Sequence, residues 1–262
     1  MSLIDPHDAG NTVVSGPDAL WRARHAVLAA GYGGRADPAD PARVLAMPIV
    51  LHIPKADPPP RSSLLEAAAS AAVALCFDER VGISEDGEPG PWQKDFTAWV
   101  SGRIRKVSRR ARGAQWLAAQ EVAGITVEVD GAQARALVPG PVGDLDPRIK
   151  KMQIGGTDLG HDKPGDPESG LPVLWIASAL EMTVGKAAAQ VGHASMLLAA
   201  AMTDEDAWRW SQAGFRCSVR DADATQWAQA VARLENSQAI AVRDAGYTEV
   251  APGSMTVIAV PS

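Results

Sequence analysis

The sequence predicts an α/β layered protein. Two observations carry that reading. In the second half, short β-branched apolar runs alternate with helical periods rich in Ala and Leu. Over the whole chain, 46% of the 262 residues are hydrophobic, enough to bury a sizeable core. Alternation of this kind predicts a mixed sheet with helices on both faces.

The elements follow in order. Residues 1–45 are rich in Asp, Gly and Pro and read as an N-terminal extension with one helix over 18–30. "MPIVLHI" (47–53) reads as a buried strand. "PPPRSS" breaks the chain before an Ala/Leu helix over 62–77 with a serine N-cap. "EDGEPGP" (85–91) reads as a loop, and a helix with a basic face is expected over about 93–121. "GITVEV" (124–129) and "ARALV" (134–138) read as strands. "GGTDLGHDKPGDPESG" has the composition of a linker, and the domain boundary is placed there. The expected units are the extension 1–45, an α/β domain 46–154, a linker 155–170 and a C-terminal domain 171–262. In that last unit, strands are expected at 172–178, 215–221, 238–245 and 255–261. Helices are expected at 184–201, 204–213 and 223–236.

Composition excludes several function classes. Cys76 and Cys217 are the only cysteines, which rules out a disulfide framework and argues against a cysteine-based zinc site. There is neither a secretory signal pattern nor a long apolar run, so the expected setting is cytoplasmic, with no membrane partner. The net charge of −6 opposes generic nucleic-acid affinity. Its distribution is uneven. "RIRKVSRRAR" (103–112) holds six basic residues and no acid, whereas 171–262 holds six basic and nine acidic. A polyanion would find its best landing on that run, through Arg105, Arg109 and Arg110, unless the run is a solvated helix face paired to acids elsewhere.

Two stretches carry candidate chemistry. In "VGKAAAQVGHAS" (184–195), Lys186, Gln190 and His193 fall on one helical stripe that ends on Leu197. The small residues Ala187, Ala188, Ala189 and Gly192 let that helix lie close to a sheet or a ligand. In "RDAGYTEVAPGS" (243–254), Asp244 ends a strand, where side chains enter the crevice beyond a sheet edge. Taken singly, each stretch has an ordinary structural explanation, a hydrogen-bonded histidine in one and a capped turn in the other.

Together they read G-K-x-A-A-Q-x-x-H-A, followed by D-A-G-x-T-[QE]-x-x-P-G-S-x-T-V. The residues are Gly185, Lys186, Ala188, Ala189, Gln190, His193 and Ala194, then Asp244, Ala245, Gly246, Thr248, Glu249, Pro252, Gly253, Ser254, Thr256 and Val257. Over about 171–262 this resembles the type II peptidyl-tRNA hydrolases. The resemblance implies a three-layer α/β/α domain around a four-stranded mixed sheet, often dimeric. It implies hydrolysis of the ester between peptide and tRNA, with peptidyl-tRNA as partner and no cofactor or metal. Ester hydrolysis needs an activated water and a stabilised oxyanion. Lys186, Asp244, Thr248 and Thr256 are the expected catalytic set. Gln190, His193, Gly246 and Ser254 are expected to bind substrate, with Arg105, Arg109 and Arg110 on the tRNA backbone. The alternative is a non-catalytic tRNA- or protein-binding module that keeps the fold, and hydrolysis of another acyl ester is a third reading.

The sequence departs from the family pattern at Gly192, where serine or another small residue is usual, and at Glu249, where Gln is common and which adds negative charge beside a polyanionic substrate. The first half lies outside the match. It nonetheless repeats an order of strand, Ala-rich helix, Gln-Trp helix, strand and Asp. We hypothesise a degenerate duplication that forms a pseudo-dimer within one chain, with a homodimer as the alternative assembly. Ser63 and Ser70 then stand where Lys186 and His193 do, and Asp130 matches Asp244.

Overall fold

The computed structural model describes residues 16–245 and 249–262. The first half runs α1 (Ala19–Ala29), β1 (Leu45–His52), α2 (Arg61–Phe77), α3 (Gln93–Val100), β2 (Arg105–Ala111), α4 (Ala114–Gln120), β3 (Gly124–Val129), β4 (Ala132–Leu137), β5 (Gly140–Pro141) and α5 (Pro147–Lys150). The second runs β6 (Val173–Ala177), α6 (Val184–Ala201), α7 (Asp204–Gln212), β7 (Ser218–Ala222), α8 (Ala224–Glu235), β8 (Ile240–Arg243) and β9 (Met255–Val260).

Each half builds a mixed sheet, and the two share one topology. The order is β2-β1-β4-β3 in the first and β7-β6-β9-β8 in the second, with β5 added beside β1. The central strand pairs in parallel with one neighbour and antiparallel with the other in both. A small detail recurs as well. Trp99 Nε1 donates to Arg105 O at 2.9 Å, and Trp210 Nε1 donates to Arg216 O at 2.7 Å. The turns beneath them hold Ile104 and Phe215 at φ +45° and +55°, a left-handed backbone uncommon for such side chains.

Helices α2 and α6 lie between the sheets and pack on each other. Their shared faces are small: Ser195 Oγ donates to Ala69 O at 2.8 Å, and a Cβ on Gly192 would sit 3.2 Å from that of Ala72. The principal core therefore joins both halves, from Leu64 and Leu75 through Leu174 to Val257. Smaller cores lie on the outer faces, one around Trp116 and Ile149 under α4 and α5, the other around Ala230 and Ile258 under α8. Each sheet thus has helices on both sides. The extension contributes directly: Trp21 and Leu28 of α1 are buried, and His25 Nε2 donates to Ala199 O at 3.0 Å.

Three expectations change. The helix expected over 93–121 is two short helices with strand β2 between them. Gly102 and Gly113 punctuate the stretch, and pairing with β1 holds the basic run extended. Ser62 is not the N-cap of α2; Pro60 stands there and makes no side-chain bond. Asp162 instead accepts from Ser62 N and Oγ at 3.0 and 2.5 Å, so residues 155–170 supply the missing cap. Asp130 does not occupy the position of Asp244. Strand register places Val129 there, and Asp130, at φ +47°, turns a tight hairpin into β4. In the second half, residues 244–254 separate β8 from β9 where the first has that hairpin. Among the described residues, no helix is long and apolar enough to cross a membrane.

Candidate active site

The site forms where α6 begins and β8 ends. Thr183 caps α6, its Oγ1 accepting from Lys186 N at 3.2 Å. Glu249 completes the cap, because its carboxylate accepts from Thr183 N at 2.9 Å and from Thr183 Oγ1 at 2.7 Å. The negative charge that looked adverse for a polyanionic substrate lies against the positive end of a helix dipole. Gly185 N donates to buried Thr157 Oγ1 at 3.2 Å, and a Cβ on Gly185 would meet that oxygen at 2.6 Å. A glycine there lets the connecting segment close over the helix start.

From this base a chain of polar contacts runs inward. Lys186 Nζ and Gln190 Nε2 both donate to Asp244 Oδ2, at 2.5 and 2.9 Å. Thr256 Oγ1 donates to Gln190 Oε1 at 2.6 Å. The Lys186 and Asp244 side chains are only 11% and 9% exposed, so their pairing is weakly screened by solvent. Gln190 is buried and Thr256 wholly so. Thr256 therefore has no surface with which to touch a substrate. It fixes which way the Gln190 amide points, and that amide fixes Asp244.

The loop is pinched at its neck. Asp244 N donates to Ser254 O at 2.9 Å, and Gly253 N donates to Asp244 O at 2.7 Å. Ser254 closes the loop through its backbone. Gly246 and Thr248, both expected in the site, lie outside the described residues.

Lys186, Gln190, His193 and Asp244 line one cavity of about 500 Å³. Its opposite wall is the start of β2 in the first half with the two residues before it, Arg103 to Ser108. His193 faces that wall, with Nδ1 3.2 Å from Lys106 Nζ. Burial, then the charges of Lys106 and Lys186, hold the imidazole well below the usual histidine range. Lys106 is the residue that the sequence reading missed. In a strand, side chains alternate, so Ile104, Lys106 and Ser108 turn toward the helix layer. Reading the run with a period of two would have separated Lys106 from its neighbours.

The three arginines expected on the tRNA backbone do not form one basic surface. Arg105 reaches the cavity wall but pairs with Asp37 at 2.5 Å. Arg109 is buried on the other face, donating to Met152 O at 2.8 Å. Arg110 donates to Gly156 O at 2.7 Å and to Gln153 Oε1 at 2.5 Å. The four positive charges on the strand, Arg105, Lys106, Arg109 and Arg110, divide between two faces and do not collect on one.

Residues 172–261 match the family model described as Peptidyl-tRNA hydrolase PTH2. No solved structure matches this chain. The PTH2 region spans β6 to β9 and holds every described second-half residue of the site, whereas β2 and the connecting segment that closes over α6 lie outside it. Among the described residues, no group of three or more His, Cys, Asp or Glu side chains is placed to hold a metal.

Proposed function

We propose that this protein hydrolyses the ester joining a peptide to the 3′ end of tRNA, releasing both. The observation that carries this reading is the fixed set Lys186, Asp244 and Gln190 on the wall of a cavity, backed by buried Thr256, within a region that matches the PTH2 family.

The chemistry follows from those groups. Water attacks the ester carbonyl carbon, and negative charge builds on the carbonyl oxygen. The Lys186 ammonium, held by Asp244, brings positive charge to that oxygen in a poorly solvated wall. The Asp244 carboxylate orients the attacking water. As the tetrahedral intermediate collapses, the bond from carbon to ribose oxygen breaks, and a proton from water ends on that oxygen. Thr248 is expected to assist from the loop. No step needs a metal.

The first half supports the site as an inactive partner. Its sheet repeats the topology of the second. Ser70 stands at the His193 position and donates to Phe215 O at 2.9 Å, a structural bond. The tight hairpin at Asp130 replaces the functional loop. We infer that 46–154 is a degenerate copy that gives one chain the shape of a dimer, with 155–170 as the connection.

Release of N-acetylaminoacyl groups from tRNA by the purified full chain tests the reading. Turnover supports it. Binding of tRNA without release would favour the binding-module alternative.

A further inference from the structure

Lys106 stands where the fold would accept an apolar side chain. The matching position in the second half, directly after Arg216, is Cys217, buried and uncharged. Among the described residues, Lys106 meets His193 Nδ1 at 3.2 Å and the face of Trp99, 5.0 Å from the ring centroid, and it lies near the buried thiol of Cys76. No carboxylate pairs with it there. An ammonium has only donors, so in that form it needs Nδ1 to accept, which puts the ring proton of His193 on Nε2. Holding such a cation away from water is costly without an anion.

The surroundings make room for it nonetheless. A Cβ at residue 192 would sit 3.2 Å from Lys106 Cδ, so Gly192 leaves a passage for the lysine stem. That stem leads to the cavity that also holds Lys186 and Asp244. His193 lies two helical turns beyond Lys186, about 10 Å along the axis. Arg103 and Arg105 border the same cavity, and Asp37, which pairs with both, offsets part of their positive charge.

We propose that Lys106 is an anion-binding residue of this site: it receives a phosphate of the RNA 3′ end while Lys186 and Asp244 hold the ester about 10 Å away. The identity of the anion rests on the hydrolase reading above. A phosphate oxygen would give the buried ammonium the charge-assisted hydrogen bond it lacks. Burial pushes the lysine down to about 7, so near neutrality it takes up its proton readily as the phosphate arrives. A cation supplied by the first half would also explain why an acidic PTH2 region is joined to it.

The test uses the full chain with Lys106→Met, which keeps the stem, and Lys106→Arg, which keeps the charge. Deacylated tRNA is titrated over a salt series, and N-acetylaminoacyl release is measured alongside. The Met variant is expected to raise Kd and KM about ten-fold, with the loss falling on KM rather than kcat. The slope of log affinity against log salt should fall by about one. The Arg variant should retain most of the affinity. An unchanged Kd and slope in a folded Met variant would overturn the proposal, as would a loss confined to kcat. If wild type releases nothing, the hydrolase reading fails, and the deacylated-tRNA slope still decides the role of Lys106. Absence of any tRNA binding by wild type would sink both.

Discussion

Replacing Thr256 with valine removes the hydroxyl at the back of the site, which also lies 3.3 Å from Val242 O. The side chain is wholly buried, and its hydroxyl donates to Gln190 Oε1 at 2.6 Å. Valine keeps the shape and removes the donor. Gln190 is itself buried, so its oxygen is left without that partner away from solvent. Such a loss costs about 1–3 kcal/mol. Taking about 2 kcal/mol, Tm should fall by roughly 4–8 °C for a chain of this size. The consequence for activity is separate. Without Thr256, only the Asp244 carboxylate selects the amide orientation, and the Gln190 side chain is free to shift away from it. We expect a loss of about ten-fold in the rate of ester hydrolysis, equal to about 1.4 kcal/mol. Thr256→Ser retains the hydroxyl and should stay near wild type in rate. Thermal melts by circular dichroism and single-turnover release measure the two effects. A valine variant that melts within about 1 °C of wild type and keeps its rate would refute the reasoning.

Two further predictions follow from the packing and the charges. Gly192→Val should destabilise by about 1–3 kcal/mol, although glycine is a poor helix former, because the new atoms meet Ala72, Lys106 and Ile49 at 3.2–3.3 Å; chemical denaturation measures it. Stability should also rise from about pH 7 to pH 9 and decline in acid. Lys106, pushed down to about 7, and His193, held well below its usual range, bind fewer protons folded than unfolded, so raising the pH favours the fold. His52, lowered by burial, acts in the same sense in acid. Buried Cys76, pushed up to about 12, and Cys217, also raised by burial, act oppositely above pH 9. Lys106→Met should flatten the rise between pH 7 and 9 in denaturation midpoints.

Much of the second half was legible because its signals are local. Helix α6 runs over Val184–Ala201, as its Ala-rich period predicts, and Asp223 caps α8 with a reciprocal bond from Gln226. The stripe of Lys186, Gln190 and His193 was legible from helical spacing, and Asp244 from its place at a strand end. The basic run was misread because charge is a poor guide to period. Nothing in it shows a helix or a strand until β1 pairs with it. The roles of Thr256, Glu249 and Lys106 are contacts across long sequence separations. Thr256 was expected in the catalytic set and is a buried support for Gln190. Glu249 looked like an electrostatic burden and caps α6. Lys106 sat among five other basic residues, and only the packing of β2 on α6 distinguishes it.

The most direct measurement is single-turnover release of an N-acetylaminoacyl group from tRNA by wild type, Lys186→Ala, Asp244→Asn and the double variant. If the pair acts as one unit, each single change removes most of the rate and the double is scarcely worse. Wild-type rates in either single variant would contradict the account.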